Sequence, residues 1–173
     1  MLKDGDLERL IGKKRELLTS IDVAIEYERL SKSHLQAAEV LYNNGLYNES
    51  VYFYIQAMEK KIDEKICRKI DVTNPYFAER MRETSHSIDK SIEFLIEIYS
   101  GSNKNMYAQI RNQIIRGIFK NIKFAKLHNN VRYPAYNSYK SIYNIYTIEK
   151  NECTEIREMG QLLMVFLNDL ERI

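Results

Sequence analysis

Residues 35–70 constrain the fold of this chain most, because their apolar spacing is that of two helices joined by a tight turn. Gly45 follows Asn43 and Asn44, and glycine readily adopts the left-handed conformation that ends a helix. The next helix opens at Asn48 or Ser50, which are both favourable N-caps. Its apolar positions are Val51, Tyr54, Ile55, Met58, Ile62 and Ile66. We therefore expect an antiparallel helical hairpin whose apolar face needs partners from the rest of the chain.

Helical spacing continues through most of the chain, whose six glycines and two prolines leave little room for a turn-rich β fold. Pro75 predicts a break after the hairpin, followed by a loop or a short helix. Further helices are predicted over residues 4–19, 21–43, 85–99, 105–127 and 151–170. We predict an all-α, up-and-down bundle of about five to six helices over residues 21–173, with residues 1–20 as an additional N-terminal helix.

The conformation of residues 136–150 is left open by the sequence. Tyrosines recur there at three- and four-residue spacing, as on a helix face. The segment is also rich in β-branched and aromatic residues, which suit an extended chain. We favour a helix and keep the extended segment as the alternative.

The chain of 173 residues is long enough for one domain to bury a core. No apolar run approaches the roughly 20 residues of a membrane span, and the first residues lack the pattern of a signal peptide. The two cysteines, Cys67 and Cys153, are far apart, as is typical of thiols in a reducing compartment. We expect a cytoplasmic protein with no membrane partner.

Charge is distributed unevenly, since residues 98–148 contain no acidic side chain but eight basic ones. The basic residues are Lys104, Arg111, Arg116, Lys120, Lys123, Lys126, Arg132 and Lys140. On one continuous helix, four of them would form a ridge within roughly a third of the circumference. These four are Arg116, Lys120, Lys123 and Lys126. The tyrosines and asparagines of this segment are groups that stack on bases and hydrogen-bond their edges, so we predict a nucleic-acid surface. The alternative is an ordinary solvated helix face.

Three short segments resemble motifs of the HEPN domains (higher eukaryotes and prokaryotes nucleotide-binding), in the order expected for that family. The first is Tyr54-Ile-Gln-Ala-Met-Glu-Lys-Lys-Ile62, which is similar to the family's second helix. Thr84-Ser-His86-Ser-Ile88 resembles its Thr-His-Asp-Leu segment, and Val131-Arg132-Tyr133-Pro134 resembles its Ala-Arg-Tyr-Pro segment. The resemblance covers about residues 25–170. It implies a homodimeric bundle that binds RNA or a nucleotide, often beside a small nucleotidyltransferase, in prokaryotic toxin–antitoxin, defence or stress systems.

The resemblance also implies a catalytic pair in active members, an Arg and a His a few residues apart that cleave RNA without a metal. Arg80 and His86 have five residues between them and are the candidate pair, although Met81 stands where the family usually has a polar residue. Arg111-Asn112 is the better match to the start of the motif, but Arg116 occupies the place of its His. His can move a proton near neutral pH, and Arg can hold a phosphate with two donors.

Other enzyme signatures are absent from the sequence, which has no glycine-rich phosphate loop and no metal-ligand cluster. We therefore expect no metal and no cofactor. The leading hypothesis is an RNA- or nucleotide-binding module, and the alternatives are an active endoribonuclease toxin and a structural dimer that docks proteins. The residues assigned to binding are Arg111, Asn112, Arg116, Lys120, Lys123, Lys126, Arg132 and Tyr133.

Overall fold

The computed structural model describes residues 12–170, which are mostly helical with one small antiparallel sheet. The elements in chain order are α1 (Ser20–Asn43), α2 (Tyr47–Lys69), α3 (Pro75–Thr84), α4 (Ile88–Ser100), α5 (Lys104–Asn112), a π-helical segment (Gln113–Ile118), α6 (Phe124–Asn130), β1 (Ala135–Asn137), β2 (Ile142–Asn144) and α7 (Lys150–Asp169). None of the helices in this range has the length and apolar character needed to cross a membrane. The predicted all-α class is confirmed in its main feature, although the described residues contain seven α-helices instead of five to six, together with a two-stranded sheet.

The predicted helical hairpin is confirmed as α1 and α2, although α2 begins at Tyr47 after the N-cap Leu46 and not at Asn48 or Ser50. Gly45 lies in the turn at φ +74°, the left-handed conformation that the sequence predicted there. Thr19 caps α1, since its hydroxyl accepts a hydrogen bond from the Asp22 amide at 3.1 Å and the Asp22 carboxylate accepts one from the Thr19 amide at 3.2 Å. This capping box explains why the helix begins at Ser20.

The predicted N-terminal helix is wrong over the part of its span that the structure describes. Residues 13–18 have no regular secondary structure, and the rest of the predicted span, residues 4–11, lies outside the described residues. The Thr19–Asp22 capping box is the sequence signal that separates this segment from α1.

The core is built around α2, which packs against α1, α4 and α7. Fully buried aliphatic side chains line this contact, and each contributes about 1.5–3 kcal/mol relative to an exposed position. They include Val51, Ile55, Met58, Ile62, Ile66, Ile92, Leu95, Leu163 and Leu167. The predicted break at Pro75 and the final helix are also confirmed, with Pro75 at the first position of α3 after the N-cap Asn74.

The long helix predicted over residues 105–127 is wrong, because it divides into α5, the π-helical segment and α6. Lys120 and Asn121 have left-handed φ values of 48° and 64°, which end the helical path. Phe119 and Phe124 explain the break, since both are fully buried with ring centroids 4.5 Å apart. At about 100° per residue, a continuous helix would point two side chains five positions apart in different directions.

The helix favoured over residues 136–150 is also wrong, because this segment contains β1 and β2 and then runs without regular structure to α7. Tyr136 pairs with Tyr143 across the sheet. The Asn137 side chain accepts hydrogen bonds from the amides of Tyr139 and Lys140 at 3.1 and 3.2 Å, which closes the turn. The extended alternative is therefore the observed one.

Candidate nucleic-acid interface

Arg80 lies on α3 with its charge matched by carboxylates. Its guanidinium donates to Glu97 at 3.0 Å and to Glu83 at 3.3 Å, and it lies 5.0 Å from the ring centre of Phe94. It lines a cleft of about 620 Å³. The acidic residues lining the same cleft are Glu83, Asp89, Glu93 and Glu97, and Lys90 and Lys123 also line it. A phosphate entering here would meet these carboxylates as well as the cations.

His86 lies in the turn between α3 and α4, exposed and at a left-handed φ of 64°. It is not among the residues that line the cleft at Arg80. Its backbone N–H donates to Glu59 Oε1 at 3.3 Å, which ties the turn to α2. The helix predicted over residues 85–99 is observed as α4, which begins at Ile88 after the N-cap Ser87.

The structure connects His86 with His128 rather than with Arg80. The second carboxylate oxygen of Glu59 accepts from Gln56 Nε2 at 3.5 Å, and that nitrogen lies 3.1 Å from His128 Nε2. Burial lowers the pKa of His128, and the nearby positive charge of Arg132 and the proximity of His86 lower it further. The lowered pKa favours the neutral form of this buried imidazole. The spatial relation of His128 to His86 gives no signal in the sequence.

The predicted ridge of basic side chains on one helix is wrong, because the helix breaks between Arg116 and Lys126. Arg111 donates to Glu93 at 3.0 Å, and Lys120 pairs with Glu155 at 2.7 Å. Asn112, Arg116, Lys123 and Lys126 are exposed at separate places along this path. Their role in binding nucleic acid stays a prediction. The structure brings Arg132 closer to the aromatic rings of Tyr52 and Tyr133.

Arg132 and Tyr133, the other predicted binding residues, lie together in the turn that leads from α6 to β1. The Arg132 guanidinium carbon is 5.1 Å from the ring centre of Tyr52 and 4.7 Å from that of Tyr133. Tyr52 in turn stacks on His128, with ring centroids 5.1 Å apart. A planar cation held against two aromatic faces is a suitable contact for a phosphate or a base.

The tyrosine hairpin, residues 133–146, continues from this turn and exposes most of its large side chains. Tyr139 is 99% exposed at the tip, and Tyr143 is 69% exposed on β2. The other exposed large side chains are Tyr133, Tyr136, Ile142, Ile145 and Tyr146. Residues 132–146 carry two charged side chains, Arg132 and Lys140, and no carboxylate, so this segment is aromatic and basic. Because a helix was predicted for this segment, the placement of these side chains on an exposed β-hairpin was not predicted.

Asn48 anchors the tyrosine hairpin to the first turn of α2. Its side-chain amide donates to the Tyr146 carbonyl at 2.7 Å and accepts from the Ile148 amide at 2.8 Å. Asn48, Tyr52, Arg132 and Tyr133 line one pocket, so the base of the hairpin lies beside the first turns of α2.

Residues 12–170 contain no group of histidine, cysteine and carboxylate side chains placed to hold a metal ion. Comparisons of the chain with protein-family models, with curated proteins and with solved structures gave no match.

Proposed function

We propose that this protein is a HEPN-like domain that binds RNA through the tyrosine hairpin and Arg132. The observation that carries the proposal is the exposure of the hairpin tyrosines in a segment with no carboxylate. Each exposed ring offers a face on which a base can stack, and Arg132 and Lys140 offer contacts to phosphates. A monomeric protein rarely exposes this much apolar surface in one patch. Stacking the rings against bases would remove that surface from water.

The direct test replaces Tyr139 and Tyr143 with alanine and measures the affinity for a labelled single-stranded RNA by fluorescence anisotropy. Because stacking contributes about 1–3 kcal/mol per base, the double variant should bind at least about tenfold more weakly. With Arg132 and Lys140 both engaged, the logarithm of the wild-type affinity should fall with the logarithm of salt concentration with a slope of about −1.4. Lys32→Ala is the control, since it removes an exposed charge on α1 outside this surface.

Two results would contradict the proposal. One is a wild-type protein that retains no RNA even at low salt. The other is a Tyr139→Ala/Tyr143→Ala variant that stays folded and binds as tightly as the wild type, because binding would then lie elsewhere.

An endoribonuclease is the second candidate, favoured by the exposure of His86 and its position beside His128. The ion pairs of Arg80 with Glu97 and Glu83 argue against a free catalytic arginine in this state. Incubating the protein with RNA in EDTA distinguishes the two candidates. We expect no cleavage, whereas cyclic-phosphate ends that disappear in a folded His86→Ala variant would establish the enzyme.

The resemblance to HEPN domains supports a wider setting for the binding activity. In this proposal the protein acts in a prokaryotic toxin–antitoxin, defence or stress system, as a homodimer and with a small nucleotidyltransferase as partner. Co-purification of the protein with a nucleotidyltransferase encoded beside it is the test of that partnership.

A further inference from the structure

A pocket of about 390 Å³ lies where the base of the tyrosine hairpin meets the first two turns of α2. Its volume is within the range of about 300–1,000 Å³ that is usual for small-ligand sites. Glu49, Tyr52, Phe53, Arg132 and Tyr133 are among the residues that line it. We propose that this pocket takes one guanine base of the bound RNA, an inference that rests on the proposed function and specifies its ligand.

The aromatic wall of the pocket is held in place before any ligand arrives. Tyr52 stacks on His128 at an interplanar angle of 27°, and the edge of Phe53 meets it at 80° with centroids 5.2 Å apart. Arg132 lies over both Tyr52 and Tyr133, so the wall presents a planar guanidinium backed by aromatic rings. A two-ring purine gains more stacking area on such a wall than a one-ring pyrimidine does.

Glu49 supplies the hydrogen-bonding character of the pocket. Within residues 12–170, its carboxylate has no hydrogen bond or ion pair, and it is exposed. Asn48 is not available to read a base, because both ends of its amide are bonded to the chain that leaves the hairpin. The carboxylate is therefore the side chain beside the aromatic wall that is free to contact a base edge.

An ionised carboxylate only accepts hydrogen bonds, so it selects the base edge with adjacent donors. Guanine presents two, its N1–H and its N2 amino group, and both oxygens of Glu49 can be used at once. Adenine and cytosine each place an acceptor nitrogen next to their amino group. That nitrogen would face the second carboxylate oxygen of Glu49, and two acceptors repel each other. Uracil has one donor between two acceptors. Among the four bases, guanine therefore fits Glu49 best. The positive charge of Arg132 offsets the repulsion between the Glu49 carboxylate and the RNA phosphates.

The test compares two uridine oligonucleotides of about seven nucleotides, one with a central guanine and one with a central adenine. A two-bond carboxylate contact should make the wild type bind the guanine oligonucleotide about five- to a hundredfold more tightly. In Glu49→Gln the amide offers one donor and one acceptor, which matches the adenine edge, so the preference should fall to nothing or reverse. Glu158→Gln is the matched control, because it removes an exposed carboxylate from α7 and should keep the preference.

The outcomes separate this inference from the proposed function. Equal wild-type affinity for the two oligonucleotides, with RNA binding intact, overturns the guanine pocket and leaves RNA binding in place. A guanine preference that survives in folded Glu49→Gln also overturns it. Absence of binding to either oligonucleotide at low salt overturns both proposals.

Discussion

Asp63 is 3% exposed on the packed face of α2, and burial there raises the pKa of its carboxyl from 3.8 to about 7. The ammonium of Lys60, 3.6 Å away, opposes the rise, and the carboxylate of Glu59 adds to it. Between these two pKa values the folded protein binds a proton at Asp63 that the unfolded chain has released. The contribution of Asp63 to stability is therefore complete below about pH 4 and is lost as the pH rises through about 7.

We expect Asp63→Asn to remove this part of the pH dependence, because the amide keeps the shape and does not ionise. Urea denaturation across this range should show wild-type stability falling relative to the variant, at a limiting slope of about 1.4 kcal/mol per pH unit. Glu16→Gln, at an exposed position, should retain the wild-type slope. Parallel curves for the wild type and Asp63→Asn would show that the carboxyl is not protonated in the folded protein.

At the scale of elements, α6 depends on a residue of another helix for its N-terminal cap. Its N-cap, Lys123, makes no capping hydrogen bond with its side chain, and the Asp89 carboxylate of α4 instead accepts from the Ala125 amide at 2.8 Å. This contact positions α6, and through it His128 and the turn that carries Arg132.

Asp89→Ala should lower the free energy of unfolding by about 1–2 kcal/mol, since an N-terminal donor loses its partner. Asp89→Asn keeps an acceptor oxygen and should lose less, so the difference between the two variants isolates the hydrogen bond. Urea titration followed by circular dichroism measures both. Equal stabilities for Asp89→Ala and the wild type would mean that solvent caps α6 equally well.

For the whole molecule, the outer face at the start of α1 leaves apolar side chains in solvent. Leu18 is 76% exposed, and Ile21 and Ile25 are more than half exposed. We expect a homodimer that covers this face, so light scattering should give twice the chain mass of 20.5 kDa.

Ile21→Lys combined with Ile25→Lys should reduce that mass to one chain without loss of helix, because a charged face resists burial. Leu162→Lys combined with Val165→Lys, at an exposed apolar pair on α7, should leave the dimer intact. A wild-type protein that has the mass of one chain at micromolar concentration would show that the α1 face stays in solvent.

The sequence alone determined the helices whose signals are local. The apolar spacing of α2, the glycine at position 45 and the proline at position 75 act within a few residues of one another, so α1, α2, α3, α4 and α7 were predictable. The arrangement of the candidate interface was predictable only in part. The motif placed Arg132 and Tyr133 together, and their binding role stays a prediction, whereas the exposed face of the hairpin was not predicted.

The tertiary structure decided what depends on residues distant along the chain. Burying Phe119 and Phe124 in one core broke the predicted helix, and Asn48 fixed the tyrosine hairpin from a position about one hundred residues away. Arg80 and Lys120 were expected to be free to bind a ligand, but they form ion pairs with Glu97 and Glu155. These pairs join residues distant in sequence, so no spacing rule predicts them. Local propensity is weak compared with the free energy of burying an aromatic ring, so the packed core selects among the locally allowed conformations.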